Sequence, residues 1–269
     1  MGMPLAALDA DAIESWLATE TARAPTLAAQ AFRALRALMT WCSTKSDYKD
    51  MVEANACQTE GVKKKVSAPR AKKNDRLRRA QIRPWFEHVR RIGNPVIAAY
   101  LQALLLTGAR RNELSGLRWQ DVDFQWRSLT IRDKVEGERT IPLTPYVASL
   151  LAPLPRRNEF VFSSPTSASG RIEEPRTPHN KALAAALPPL PLYGLRRSFV
   201  TLAEWVECPT GIVAQIMGHK PSAIAEKHYI QRELDLLHLW RVKIEAWILE
   251  QAGIEFQQSK PGLRVVAAA

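Results

Sequence analysis

Between Pro95 and Leu106 the chain reads Val-Ile-Ala-Ala-Tyr-Leu-Gln-Ala-Leu-Leu-Leu, with an apolar residue at almost every position. A helix that is hydrophobic on nearly every face cannot rest on a surface, so this segment must run through a core that other elements surround. Pro95 suits its first turn and Gly108 its end. Arg110 and Arg111 come directly after it, and an arginine leaving the end of a buried helix is costly without a partner or a purpose. Glu113 stands three residues after Arg110, a helical spacing that lets its carboxylate hold the guanidinium.

The flanking segments supply elements to pack around this helix. Residues 81–89 begin a helix carrying Trp85, Phe86 and Val89. After Phe124 the apolar period changes to two: Ser128-Leu-Thr-Ile-Arg132 and Arg139-Thr-Ile-Pro-Leu143 read as strands of a β-hairpin with Gly137 in its turn and Lys134 near its tip. Further helices are expected over 146–151 and 179–187, and Phe160-Val-Phe162 reads as a short strand. Residues 195–205 form an amphipathic pattern with Leu195, Phe199 and Leu202 inward and Arg196 near its start, at the end that favours anions. Residues 209–217 form another, ended by Gly218 with His219 next. Leu237, Trp240, Ile244, Trp247 and Ile248 repeat at helical spacing over 236–251, and residues 257–269 read as a flexible tail.

The N-terminal region is separate in character. Asp11-Ala-Ile-Glu14 is a capping-box pattern, and Thr26 is placed to cap a second helix bearing Leu27, Phe32, Leu35, Leu38 and Met39. A small helical domain is expected over 1–60. Residues 61–79 are dominated by Lys63, Lys64, Lys65, Arg70, Lys72 and Lys73, with Pro69 blocking a continuous helix, and they read as a basic linker able to lie along phosphates. Residues 80–256 would form the larger domain. The fold class expected is mainly α with a small antiparallel sheet.

Net charge is +11 over 269 residues, which points to a polyanionic partner. No uncharged apolar run is long enough for a membrane span, and residues 140–155 are broken by four prolines, so no membrane helix is expected. The first residues lack a secretion signal's basic start and apolar core. Cys42, Cys57 and Cys208 are odd in number and widely spaced, which argues against a disulfide framework and against a zinc site. A cytoplasmic protein is expected.

The motifs Thr107-Gly-Ala-Arg-Arg-Asn-Glu-Leu114, the hairpin Lys134, Leu195-Arg-Arg-Ser-Phe199, Met217-Gly-His219 and Tyr229 together resemble, in order, the signature of phage-integrase-type tyrosine recombinases. The resemblance covers residues 95–240, and the small helical domain before it looks like a shortened core-binding domain. It implies a DNA recombinase that cleaves and rejoins duplexes through a 3′-phosphotyrosine, with no cofactor, ATP or metal. Tyr229 would be the nucleophile. Arg110 and Arg196 would bind the scissile phosphate, Lys134 would protonate the 5′-oxygen, His219 would assist, and Glu113 would support Arg110. The resemblance also implies double-stranded DNA as partner, a homotetramer assembled by exchange of the C-terminal helix, accessory directionality proteins, and a phage or bacterial nucleoid setting. The family usually has histidine three residues before the second arginine, where this chain has Tyr193, which can donate a hydrogen bond but is a poor base at neutral pH. On this reading no arm-type DNA-binding domain is expected before residue 1. The alternatives are a catalytically impaired DNA-binding or regulatory protein of the same fold, and a type IB topoisomerase-like nicking and closing enzyme.

Overall fold

The computed structural model describes residues 4–53, 56–66, 75–133, 137–184, 187–219, 230 and 232–257. The chain divides into two units, Met1–Lys73 and Asn74–Ala269.

In the first unit, α1 (Ala10–Arg23) is capped by Asp9, whose carboxylate accepts from the Ala12 amide at 2.8 Å, two residues before the capping position read from the sequence. α2 (Pro25–Ser43) begins on Pro25 rather than with Thr26 as cap, because proline's fixed φ already suits the first helical position. α3 (Glu60–Lys65) is capped by Thr59. Ile13, Leu17, Phe32, Met39, Cys57 and Val62 form the core of this unit. The expected linker is thereby corrected at its start: residues 61–65 are helical, with Val62 fully buried and Lys63, Lys64 and Lys65 exposed. One apolar side chain at the right phase is enough to anchor a single helical turn inside a charge run. Arg70, Lys72 and Lys73 lie outside the described residues.

In the second unit, α4 (Arg79–Arg90) leads to α5 (Pro95–Thr107), which is capped by Asn94 and buried continuously from Ala98 to Thr107. α6 (Arg111–Ser115) comes after Gly108. The sheet has the order β1-β2-β3, all antiparallel, with β1 (Val122–Asp123), β2 (Ser128–Asp133) and β3 (Gly137–Pro142). Its register pairs Leu129 with Ile141 and Ile131 with Arg139. The strand expected over 160–162 is only an isolated bridge between Phe160 and Arg118, although Val161 and Phe162 are buried. α7 (Pro145–Leu151), α8 (Arg176–Leu183), α9 (Leu192–Ala203) and α10 (Thr210–Met217) complete the packing around α5, and α11 (Leu234–Ala252) closes it.

The apolar face of α11, Leu237, Ile244, Ile248 and Leu249, is buried in its own domain. Arg241, 1% exposed, donates to the carbonyls of Pro142 and Leu106. Glu245 accepts from the amides of Tyr146 at 2.8 Å and Val147 at 3.3 Å and from the Thr144 hydroxyl, and so caps α7. Detaching α11 would strip α7 of its cap and leave two buried carbonyls unpaired. Among the described residues no helix is long and apolar enough to cross a membrane.

Candidate active site

α5 ends in a left-handed glycine, Gly108 at φ +63°, and that single residue organises the turn into α6 and its contact with α9. A Cβ there would lie 2.5 Å from the Phe199 ring, so only glycine fits both the dihedral and the space. Its carbonyl is turned toward α9, where it accepts from Arg196 Nη1 at 2.6 Å. The two arginine motifs are thus interlocked by contact.

Arg110 is the N-cap residue of α6. An arginine side chain has no acceptor with which to cap, so only the return half of a capping box exists: Glu113 Oε2 accepts from the Arg110 amide at 2.8 Å. Glu113 Oε1 also accepts from Arg110 Nη1 at 2.6 Å. The sequence-derived pairing of these residues is therefore present. A second arginine, which sequence reasoning missed, shares the carboxylate. Arg139 on β3 donates Nη1 to Oε1 at 3.2 Å and Nη2 to Oε2 at 2.7 Å. A signal existed: Arg139 alternates in phase with Ile141, a charged residue on the inward face of a strand.

Arg196 is 2% exposed. α9 begins three residues earlier than the pattern implied, so Arg196 sits in its second turn and faces the core rather than the anion-favouring end. Besides the Gly108 carbonyl it donates Nη2 to the Met217 carbonyl at 2.9 Å, and the same nitrogen lies 3.0 Å from His219 Nε2. Gly218, at φ +71°, ends α10 and delivers His219, whose amide bonds back to the Ala214 carbonyl. The structure therefore brings Arg110, Glu113, Arg196 and His219 into one cluster and adds Arg139.

Burial raises the Glu113 carboxyl pKa, but hydrogen bonds from Arg139 and Arg110 outweigh it and hold the group below the usual carboxylate value. Arg196 is shifted down, first by burial and then by the nearby positive charge of Arg110 and Arg139, with Glu113 opposing. Guanidiniums near enough to repel one another around a single carboxylate leave a net positive site, the electrostatic condition for binding an anion.

Tyr193 stands apart: its side chain is exposed, with the Arg197 guanidinium 4.9 Å over its ring, and Arg197 in turn pairs with Asp75 at 2.6 Å. Tyr229 and Lys134 lie outside the described residues. Among the described residues no group of three or more His, Cys, Asp or Glu side chains could hold a metal ion.

Comparison with known proteins identifies the family. The model of the phage integrase core-binding domain matches residues 1–64, and that of the phage integrase family matches residues 75–234. The chain belongs to the phage integrase family of tyrosine recombinases. It is 52% identical over 267 residues to prophage integrase IntF of Escherichia coli (strain K12), an alignment covering 96% of this chain and 57% of that protein. The chain thus spans little more than half the length of that relative. Among solved structures it is similar to the Tn1549 transposon integrase in complex with circular intermediate DNA, with a TM-score of 0.63 at 17% identity over 87% of this chain and 85% of that one. It is also similar to the lambda integrase tetramer bound to a Holliday junction, with a TM-score of 0.62 at 14% identity over 84% of this chain and 67% of that one. These last two likenesses concern the fold.

Proposed function

We propose that this chain is a site-specific DNA recombinase that cleaves and rejoins duplex DNA through a 3′-phosphotyrosine on Tyr229, with no ATP or metal. The observation that carries the reading is the positive cluster of Arg110, Arg139 and Arg196 around the single buried carboxylate of Glu113, beside His219. Arg110 and Arg196 would hold the non-bridging oxygens of the scissile phosphate and offset the charge that grows as phosphorus becomes pentavalent. The Tyr229 oxygen forms a bond to phosphorus while the bond to the 5′-oxygen breaks, and Lys134 supplies the proton that the 5′-oxygen takes up. His219, beside Arg196 Nη2, would hydrogen-bond the phosphate or help move the tyrosine proton. Because the phosphotyrosine conserves the phosphodiester's energy, a second strand's 5′-hydroxyl can reverse the step without an energy source.

The exposed Lys63, Lys64 and Lys65, with Arg70, Lys72 and Lys73, would track the phosphate backbone and contribute affinity without sequence information. Exchange between two duplexes requires four protomers, the assembly that the lambda integrase structure contains. The assembly expected of this chain is likewise a homotetramer joined through its C-terminal helix, with directionality proteins and a nucleoid-associated setting.

A duplex built from the ends of the mobile element flanking the gene, nicked beside the cleavage point so that the freed 5′-strand diffuses away, tests the reading. The expected result is a covalent protein–DNA adduct, visible on a denaturing gel and lost on Tyr229→Phe. No adduct on the cognate duplex would favour a binding protein of the same fold, a reading to which the exposed, arginine-covered Tyr193 gives some ground. Joint products between two labelled duplexes separate recombination from simple nicking and closing.

A further inference from the structure

Both arginines that share Glu113 engage both of its oxygens, but Arg110 reaches Oε2 through its backbone amide, whereas Arg139 does so with its side chain alone. Arg139 grips both carboxylate oxygens, at 2.7 and 3.2 Å, whereas the Arg110 side chain reaches Oε1 through Nη1. Arg139 also donates Nε to the Ile216 carbonyl at 3.2 Å, at the end of α10 and three residues before His219. Gly218 makes this approach possible: a Cβ there would stand 2.7–2.9 Å from the Arg139 guanidinium atoms. One side chain, 16% exposed, therefore ties β3 to the Arg110 turn and to the His219 turn.

We propose that Arg139 is a positioning residue for strand cleavage, acting by keeping Glu113 from closing a one-to-one ion pair on Arg110. The inference rests on the recombinase reading. A carboxylate and a lone guanidinium prefer a fork-to-fork pair with two parallel hydrogen bonds, which uses the planar edge that a phosphate would otherwise occupy. Shared with Arg139, Glu113 steadies Arg110 while the trio keeps a net positive charge. Without Arg139, both carboxylate oxygens turn to Arg110, its charge is neutralised, and the carbonyl end of α10 beside His219 loses a donor. A lysine would restore the charge but not the fork.

The test uses the nicked cognate duplex in two forms, one with the ordinary phosphate at the cleavage point and one with a methylphosphonate, whose missing charge leaves the arginines less to offset. For Arg139→Gln, adduct formation on the phosphate is expected to slow about 10²-fold, the scale of a misplaced catalytic group, with melting temperature and duplex affinity close to the parent chain. The gap should narrow on the methylphosphonate, Arg139→Lys should fall between, and Arg139→Gln combined with Glu113→Gln should be no slower than Arg139→Gln alone. An unchanged rate, an equal loss on both duplexes with a lowered melting temperature, or losses that multiply in the double variant overturn the assignment. Should Arg139→Gln not fold, a folded Arg139→Lys with a phosphate-selective loss supports it, and one that cleaves both duplexes like the parent chain overturns it. Failure of the parent chain to form an adduct, or an adduct surviving Tyr229→Phe, removes the recombinase reading and this inference with it. A parent adduct matched in rate by Arg139→Gln removes the inference alone.

Discussion

Arg196 and Arg241 are buried almost equally, at 2% and 1% exposure, and each donates to two backbone carbonyls. Their neighbourhoods differ. Arg241 faces Leu106 and Pro142 in a closed core, and its nearest acid, Glu245, is engaged by the first turn of α7. Burial alone lowers its pKa to about 10, with Glu245 opposing. Arg196 also feels two further guanidiniums, and one of its nitrogens borders the exposed His219. Depth of burial therefore does not separate an arginine that holds a fold together from one proposed to bind the scissile phosphate. What distinguishes Arg196 is like charge gathered at an opening to solvent, and that is the ground for the proposal.

Lysine substitutions at the two positions should pull this comparison apart. Arg196→Lys is expected to slow adduct formation by about 10²–10³-fold, the cost of losing one preorganised charge donor, as read from single-turnover gels. Arg241→Lys should leave cleavage per folded molecule unchanged and lower stability by about 3 kcal/mol in urea unfolding, because a point charge cannot serve both carbonyls. Comparable losses of cleavage in the two variants would erase the distinction.

A third buried base sharpens it by contrast. His179 is fully buried, accepts from Trp85 Nε1 at 3.1 Å, and is pushed down to a pKa of about 4 by desolvation. Its folded pKa is depressed, so the unfolded chain binds the extra proton. Stability is full above about pH 6.5 and falls as pH drops toward 4, by up to roughly 3 kcal/mol. His179→Gln, which keeps an acceptor for Trp85, should flatten that dependence in urea titrations run between pH 7 and pH 4.5. An unaltered slope would mean that another group carries it.

Much of the fold is readable in the residues. The apolar run 96–106 fixes the central helix, Gly108 its end, and the three-residue step from Arg110 to Glu113 their pairing, because each comes from local geometry. What escapes depends on contacts distant in sequence. α3 is hidden inside a lysine run because its one anchor, Val62, is matched by Ile13 and Leu17 far upstream. α11 has helical spacing whichever domain it covers, and only Arg241 and Glu245 show that it belongs to its own. Arg139 shows only its strand phase with Ile141 until β3 is laid beside α6 and α10. Tyr193 is visible in the sequence as a departure from the family pattern, yet its exposure is set by the start of α9, which the local sequence places three residues late.

Gly108 also bears on how such a chain could be re-engineered. Its carbonyl anchors Arg196, and the absence of its side chain makes room for Phe199. Residues 104–114 and 192–203 thus behave as a lock and its matching key although some eighty positions part them. A chimera that imports one stretch from a distant relative and leaves the other behind would inherit both arginines and still lack the hinge-pin between them, so the two would have to be transplanted together.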